Sequence, residues 1–438
     1  MAATVDSSST APLLRGPPST GQRRTAGKAT SAQTLGNIVV SIVGTGVLGL
    51  PYAFRVAGWL AGSLGVAVAG VSTYFCMLLL IQCRDGLEGN DDEETGDATH
   101  IQSYGDLGAK AFGTTGRYLT EFLVLISQAG GSVAYLVFIG QNLSSLFTNT
   151  SRSIIPPSIF IFLLLLPIEL ALSFIRSLSS IAPFSAFADA CNVLAMAIVI
   201  KEDFQLFDRF SLERGAFNGT WGLPFAGGVA VFCFEGFSMT LALEASMADR
   251  RKFRWVLLLA FITITLVYIS FGIFGYLAYG DETKDIITLN LPNDWSAITV
   301  KVGLCVALAF TFPIMMHPIY EIVEMKMTSI RWFQKVRCNA YGERLSLQGA
   351  RMLVLLIVAI IASCIPGFGT FISLVGSTLC SLLSFVLPAT FHLLLMGSNL
   401  KLWQRAVDYL VLLVGLAFAC YGTYDALSDR IRVSKSIP

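Results

Sequence analysis

Long apolar runs separated by short polar segments make up most of the chain. Residues 31–54 and 56–83 contain no Asp, Glu, Lys or Arg, and 352–400 is charge-free for too long to be one helix. The Pro-Gly-Phe-Gly step at 366–369 divides that last run into two. An apolar helix needs about 20 residues to cross about 30 Å of hydrocarbon. The eleven spans predicted on this rule, numbered in chain order, are 33–56, 58–83, 118–147, 154–175, 180–200, 223–247, 254–279, 295–324, 350–366, 368–396 and 403–425.

The composition supports a membrane protein. Hydrophobic residues make up 54% of the chain and charged residues only 13%, against a usual globular share of about 25% charged. Thirty basic and 29 acidic residues leave a net charge of +1, so there is no basic excess with which to bind nucleic acid. We therefore expect an all-α integral membrane protein whose surroundings are a lipid bilayer and which has no nucleic-acid partner.

The cysteine and histidine patterns argue against metal or disulfide chemistry. The nine cysteines form no CxxC pair and lie mostly in apolar runs, and the three histidines form no HExxH motif. We expect no metal site, no cofactor and no catalytic residues.

The chain ends are polar. Residues 1–30 are rich in small and polar residues and lack an apolar run of signal-peptide length, so we expect a disordered cytosolic tail rather than a cleaved leader. Residues 31–425 would form the membrane domain, and 426–438 a short tail on the non-cytosolic side.

The basic residues of the loops predict the orientation. The loops 248–254 and 325–351 are rich in Lys and Arg, which predicts that both loops and the N-terminus lie in the cytosol. Two N-x-[ST] sequons, at Asn149 and Asn218, fall on the opposite side and are candidate glycosylation sites.

Span one contains a segment that is a poor helix former. Three glycines and a proline lie within residues 44–51, and broken backbone in a membrane is tolerated only inside protein or beside a cavity. One interpretation is an unwound segment whose N–H groups hold an anionic group such as a carboxylate. The alternative is close helix packing through small residues.

Span six is interrupted at the corresponding place. Residues 227–239 put glycines and Glu235 about midway through an apolar helix. Paired discontinuous helices at matching positions of two five-span halves indicate a transporter built from inverted repeats.

Ionisable groups inside spans are costly and usually functional. Glu235 is about 18 Å deep at 1.5 Å per residue, and Asp189 is near the middle of span five. These two are the candidate proton-coupling carboxylates, with a structural hydrogen bond as the alternative for each. Four other groups near cytosolic span ends are expected to be satisfied by snorkelling or a loop partner: Glu121, Glu169, Glu244 and His317.

Aromatic and polar residues complete the candidate site. Phe232, Phe234 and Phe237 flank Glu235 and either pack or line a pocket for an apolar side chain. In span three the polar residues recur at helical spacing, which indicates either contacts between helices or a cavity wall; they are Gln128, Ser132 and Tyr135.

Several segments resemble the amino acid/auxin permease family. Residues 34–54 (TLGNIVVSIVGTGVLGLPYAF) are similar to the first span of that family. Shorter segments that also fit are Gly58-Trp59, SQAG at 127–130, FCFEG at 232–236, DIIT at 285–288 and LVGS at 374–377. The resemblance runs from about residue 30 to 425 and is close to the plant aromatic and neutral amino acid transporters.

The resemblance implies a LeuT-like fold of eleven spans, with a five-plus-five inverted repeat and one added helix. It implies secondary transport of amino acids, usually coupled to protons, with auxin as a further cargo of the family. Spans one, two, six and seven would rock against three, four, five and eight. The implied substrate-binding residues are Gly44, Thr45, Gly46, Val47 and Leu48 for the carboxylate, Phe232, Phe234 and Gly236 for the side chain, and Gln128, Ser132, Tyr135 and Thr311 for the remaining lining.

Three other classes of protein remain as alternatives. A membrane sensor would bind amino acids without moving them, and its acidic 85–105 and basic 325–351 loops would serve partners. A membrane-embedded enzyme would need catalytic His or Asp pairs at a membrane face, and the sequence has no such constellation. A channel fits poorly with two broken helices. The sequence leaves the plasma membrane and the vacuolar membrane open as locations.

Overall fold

The computed structural model describes residues 29–94, 101, 103–148, 155–173, 190–202, 214–292, 294–328, 340–397 and 400–435. Within these ranges the regular secondary structure is helical, apart from one parallel bridge between Ala29 and Met247. The expected disorder of residues 1–28 concerns a segment outside the described residues and stays a prediction.

The described helices follow the order of the predicted spans. Span one corresponds to Ser31–Ile42, Thr45–Gly49 and Leu50–Ala57. Spans two and three correspond to Trp59–Glu94 and Tyr104–Thr148. Span four corresponds to Pro157–Phe160, Ile161–Leu165 and Leu166–Ser173, and span five to 190–202. Span six corresponds to Gly222–Cys233 and Phe237–Ser246, and spans seven, eight and nine to Phe253–Tyr279, Trp295–Thr328 and Ala340–Ser363. Span ten corresponds to Phe368–Val375, Gly376–Cys380, Leu382–Val386 and Leu387–Met396, and span eleven to Leu402–Lys435. Short 3-10 turns lie at Arg250–Lys252, Gly280–Glu282 and Ile287–Asn290.

The expected all-α membrane architecture is confirmed. In the part of the chain that the structure describes, eight helices are long and apolar enough to cross a membrane, or nine when the bent pair of span one counts as one. Span four is represented by the shorter apolar helix Pro157–Ser173, and span five by 190–202. Each of the eleven predicted spans therefore has a helical counterpart.

Local sequence explains where span one begins. The side chain of Thr30 accepts a hydrogen bond from the backbone of Gln33, whose side chain accepts one from the backbone of Thr30. This capping box satisfies two N–H groups that a helix start leaves unpaired. Ala29 pairs with the backbone of Ser246 and Ala248, so the folded part begins before the predicted boundary at residue 31.

Two spans differ in extent from the prediction. The helix of span three begins at Tyr104 but breaks at Phe112 and Gly113, where Gly113 has a φ of 67° that favours glycine. A short helix therefore precedes the span predicted from residue 118. Span eleven continues to Lys435, ten residues past its predicted end at 425.

Apolar side chains cover outward-facing surfaces, as contact with lipid requires. On span nine five such residues are at least 39% exposed: Leu353, Leu356, Ile357, Ile360 and Ile361. In a water-soluble protein a patch of this kind would be an aggregation hazard.

The chain divides into two compact units. The first unit comprises Met1–Val124, Ser211–Asp281 and Ile372–Pro438, and the second comprises Leu125–Phe210 and Glu282–Phe371. Spans one, two, six and seven thus belong to the first unit, and spans four, five, eight and most of three to the second. Both interrupted helices lie in the first unit.

Candidate functional site

The break in span one is shorter than the sequence predicts. The helix ends at Ile42, and Val43 and Gly44 are extended, with φ of −76° and −115°. Thr45–Gly49 then forms a 3-10 helix that continues into Leu50–Ala57. The segment Gly44–Leu48 is therefore not wholly unwound, because tight helical turns re-form after Gly44. The amides of the first residues of a helix have no partner within it, so Thr45 and Gly46 direct N–H groups toward the break.

The break in span six lies where the sequence predicts it. The helix Gly222–Cys233 ends, Phe234 and Glu235 form a turn, and Gly236 is extended with φ 179°. The helix resumes at Phe237. Its first amides also point back toward the break, which gives this position the positive end of a helix dipole.

The two breaks lie against each other within the first unit. A Cβ atom on Gly46 would lie 2.9 Å from Cys233 Sγ and 3.0 Å from Phe232 Cδ1. Only a glycine allows this approach without a shift of those side chains. Tyr268 of span seven joins the same two breaks, because its hydroxyl lies 3.3 Å from the carbonyl oxygen of Ile42 and 3.1 Å from that of Cys233.

A small cavity of about 10 Å³, with room for about one water molecule, borders both breaks. Its lining is contributed by the first half of span one, the second half of span six, and spans two and seven: Ile38, Ser41, Ile42, Met77, Gly236, Thr240, Leu243, Phe253 and Leu257. Of the residues predicted to bind substrate, only Gly236 is among them. Most of this lining is apolar, and its two hydroxyl groups donate to backbone carbonyls one turn earlier, Ser41 to Asn37 and Thr240 to Gly236.

The aromatic residues of span six have different environments. Phe234 is fully buried and stacks on Phe261 with ring centroids 5.8 Å apart, with Tyr268 at 5.2 Å. Phe234 therefore packs against span seven and does not line the cavity. Phe232 is half-buried and lies beside Gly46.

The first coupling candidate, Glu235, sits in the break itself. It is half-buried, and its carboxylate has no ion-pair or hydrogen-bond partner within the described ranges, where only its backbone N–H is bonded, to Phe232. The second candidate, Asp189, lies outside the described residues.

The polar residues of span three and span eight belong to the second unit. Ser132 is buried and donates a hydrogen bond to the Gln128 carbonyl at 3.0 Å, while Gln128 and Tyr135 are half-buried. Thr311 donates to the Ala307 carbonyl at 3.0 Å. The predicted polar stripe is thus present, with its hydroxyl protons committed to the residues' own helices at Ser132 and Thr311.

The expectation that charged groups near span ends find partners holds for two of the carboxylates. Glu121 pairs with Arg117 at 2.9 Å, and Glu244 pairs with Arg84 at 2.5 Å. It is wrong for Glu169, which is 1% exposed and has no hydrogen-bond partner at either carboxylate oxygen in the part of the chain that the structure describes. The helices of spans eight and nine pack against the helix that carries it. His317 is half-buried.

The Arg84–Glu244 pair is part of a larger network that sequence reasoning missed. Arg84 also contacts Asp85 at 2.8 Å, and Asp85 contacts Arg254 at 2.8 Å. These contacts tie span two to the second half of span six and the start of span seven. Their partners are up to 169 positions apart, so no local pattern reveals them.

A buried His–Asp pair that sequence reasoning also missed joins spans ten and eleven. His392 Nδ1 and Asp408 Oδ2 are 2.7 Å apart, and both side chains are almost fully buried. Because His392 lies in a largely apolar stretch and Asp408 is 16 positions away, the sequence does not reveal this pair.

Of the two sequons, Asn149 lies outside the described residues. Asn218 is exposed, and its side-chain amide donates a hydrogen bond to the carbonyl of Arg55 at 2.8 Å. Its glycosylation stays a prediction. In the part of the chain that the structure describes, no group of three or more His, Cys, Asp or Glu is placed to hold a metal ion.

Comparison with known proteins yields a family match over nearly the whole membrane region. The model of the family described as "Transmembrane amino acid transporter protein" matches residues 27–428. "Amino acid transporter ANT1" of Arabidopsis thaliana is 57% identical over 437 residues, covering 97% of this chain and 98% of that protein. "Vacuolar amino acid transporter 4" of Saccharomyces cerevisiae is 27% identical over 421 residues, covering 89% of this chain and 57% of that protein.

Among solved structures, the chain resembles the inward-facing conformation of Mhp1 with a TM-score of 0.57 at 12% identity. The match covers 97% of this chain and 95% of that one. At this level of identity the likeness concerns the fold alone, and it confirms the expected LeuT-like architecture.

Proposed function

The chain belongs to the family of transmembrane amino acid transporter proteins, and from that premise we propose that it carries neutral and aromatic amino acids in symport with protons. It is a multi-pass integral membrane transporter of amino acids and not an enzyme. The cargo, the coupling ion and the membrane are the parts that the proposal adds.

The observation that carries the proposed cargo is the cavity beside the two helix breaks. Its side chains come mainly from Ile, Leu, Met and Phe, which favours a substrate side chain without charge. The amides of Thr45, Gly46 and Phe237 at the adjacent helix starts favour a carboxylate. An α-amino acid with a neutral side chain matches both halves of this arrangement once the helix breaks move apart, because the cavity in this conformation has room for about one water molecule.

Proton coupling is assigned to Glu235, with Asp189 as the second candidate. Glu235 has no partner among the described residues and lies at the break in span six, so its charge state acts directly on the segment next to the cavity. Protonation removes the cost of a bare carboxylate in a membrane interior. A proton gradient then biases one conformation, and net amino acid flux follows.

Alternating access is proposed to use the two units as its moving bodies. Spans one, two, six and seven fall in the first unit, and spans four, five and eight in the second. This division matches the grouping expected for such carriers, in which one set of spans rocks against the other.

We propose that the N-terminus lies in the cytosol and that the carrier lies in the vacuolar membrane. The loop with Arg250, Arg251, Lys252 and Arg254 supports the first point through the excess of positive charge in cytosolic loops. The printed name of the yeast relative supports the second. A fluorescent fusion that colocalised with a plasma-membrane marker instead would contradict the vacuolar assignment.

Competition for uptake tests the cargo. In proteoliposomes, unlabelled neutral and aromatic amino acids are expected to suppress uptake of labelled phenylalanine, while lysine and glutamate are not. Auxin in the same panel tests the other cargo that the family resemblance implies. Saturable binding without any uptake would indicate a sensor rather than a carrier.

The variant Glu235→Gln tests the coupling residue. The amide resembles the protonated acid in shape, so binding of substrate is expected to persist while the pH dependence of transport disappears. Glu121→Gln is the matched control, because Glu121 is paired with Arg117 away from the breaks. An unchanged pH profile in Glu235→Gln would remove Glu235 from the mechanism.

A further inference from the structure

Glu169 is a buried carboxyl group that the proposed transport mechanism does not use. It lies in the helix Leu166–Ser173 of span four and is 1% exposed. Among the described residues, neither Oε1 nor Oε2 has a hydrogen-bond partner. Buried polar groups are nearly always paired, so an orphaned carboxyl group calls for an explanation.

The helices of spans eight and nine pack against the helix of Glu169 and carry titratable and charged groups. Tyr320 and Glu324 come from span eight, with His317 one turn before Tyr320, and Arg351 comes from span nine. Tyr320 is buried and lies close enough to Glu169 and Arg351 for their charges to act on its hydroxyl group.

The arginine of this cluster is engaged elsewhere. Arg351 Nε lies 2.6 Å from Glu324 Oε1, and Arg351 Nη1 donates a hydrogen bond to the carbonyl of Ser173 at 2.6 Å. Its guanidinium group lies 5.4 Å from the centre of the Tyr320 ring. The described residues thus provide Glu169 with no cation in this conformation.

An ionised carboxylate without a partner costs several kcal/mol in such surroundings, so Glu169 is a neutral carboxylic acid here. The ionised form requires a cation beside it. Ser173 follows Glu169 by one helical turn, about 6 Å along the axis, and Arg351 already reaches the carbonyl of Ser173. A change of the Arg351 rotamer that moved the guanidinium group from Glu324 toward Glu169 would supply that cation.

We propose that Glu169 is a proton-binding site of this carrier, separate from the helix breaks, whose proton leaves when Arg351 exchanges Glu324 for Glu169. In that step the O–H bond of the Glu169 carboxyl group breaks, and the proton passes to water at the span end. The resulting carboxylate pairs with Arg351, and Glu324 is released to solvent. The inference rests on the proposed proton coupling and gives it a residue in the second unit.

Infrared spectroscopy tests the protonated state directly. The carboxylic-acid band of Glu169 is expected in the wild-type protein and absent in Glu169→Gln. In the control Glu121→Gln the band is expected to remain, since Glu121 is paired with Arg117. A spectrum identical in wild-type and Glu169→Gln protein would overturn the proposal.

Flux measurements test the role in coupling. Glu169→Gln is expected to bind substrate but to carry fewer protons per amino acid and to show a weaker pH dependence, whereas Glu169→Asp, which keeps a titratable group, is expected to restore both. A merely structural role would leave the proton-to-substrate ratio of Glu169→Gln unchanged, and that result would overturn the inference. Absence of proton flux in the wild-type protein would instead overturn the proposed function on which it rests.

Discussion

The hydroxyl group of Tyr268 lies 3.1 Å from the carbonyl oxygen of Cys233, where the first half of span six ends. The same hydroxyl lies 3.3 Å from the carbonyl oxygen of Ile42, where the first half of span one ends. Both carbonyls carry the negative end of a helix dipole. A single side chain of span seven therefore joins the ends of two broken helices beside the cavity.

Replacement of Tyr268 by phenylalanine is expected to slow transport and to lower thermal stability. The change removes the single O–H donor that two buried carbonyls share, and an unsatisfied buried polar group costs about 1–3 kcal/mol. Tyr276→Phe is the matched control, because it makes the same change two turns further along the same helix. Comparable losses in both variants would show that Tyr268 has no special position.

Replacement of Gly46 by alanine tests the close approach of the two breaks. The new Cβ would lie 2.9 Å from Cys233 Sγ, and overpacking of this kind costs about 1–3 kcal/mol. We expect a lower melting temperature and slower uptake of phenylalanine. Gly44→Ala is the control, since a Cβ there meets nothing within 4 Å. If Gly44→Ala were the more damaging change, the described geometry of the break would be wrong.

Replacement of Glu244 by alanine is expected to destabilise the first unit by about 3 kcal/mol, because it strips the buried Arg84 of its closest partner. Both side chains of this pair are 3% exposed. The control is Asp249→Ala, which removes the partner of Lys252 from a pair whose side chains are 48% and 68% exposed. We expect this change to lower the free energy of unfolding by less than about 1 kcal/mol. Thermal unfolding in detergent measures both, and equal effects would contradict the buried network.

The titration of Asp285 is expected to make the stability of the protein depend on pH. It lies in the loop before span eight and accepts hydrogen bonds from the backbone N–H groups of Phe368 at 2.8 Å and Gly369 at 3.5 Å. Burial raises the pKa of Asp285, against the opposing effect of these hydrogen bonds. The folded state therefore holds the proton more tightly than the unfolded state, and protonation stabilises it.

In Asp285→Asn this titration is absent, while the side-chain oxygen can still accept the bond from Phe368. The stability of the wild-type protein relative to Asp285→Asn is expected to increase as the pH falls through the pKa of Asp285. Parallel unfolding series over a pH range measure this difference. A relative stability that decreased on acidification would mean that the hydrogen bonds outweigh burial.

The features that the sequence predicts well are local. The apolar runs locate the spans because a membrane helix needs an uninterrupted stretch of about 20 such residues. Glycines and the ionisable Glu235 locate the break at Phe234–Gly236, because glycine weakens a helix where it occurs. The break in span one was overestimated, since Thr45–Gly49 finds 3-10 hydrogen bonds that the glycine count does not reveal.

The features that the sequence misses depend on residues far apart along the chain. The burial of Phe234 is decided by its contact with Phe261 of span seven, so its position next to Glu235 gave no sign of it. The partners His392 and Asp408 occupy different spans. The isolation of Glu169 follows from what spans eight and nine place around it, and the short distance to a span end wrongly indicated a partner.

Uptake of labelled phenylalanine into proteoliposomes, with and without an imposed pH gradient, tests the central claim most directly. If protonation of Glu235 beside the cavity drives transport, phenylalanine accumulates above its external concentration when the gradient is present. Without the gradient, uptake is expected to stop at equilibration. Accumulation that is indifferent to the pH gradient, or equilibration under both conditions, would contradict proton-coupled transport.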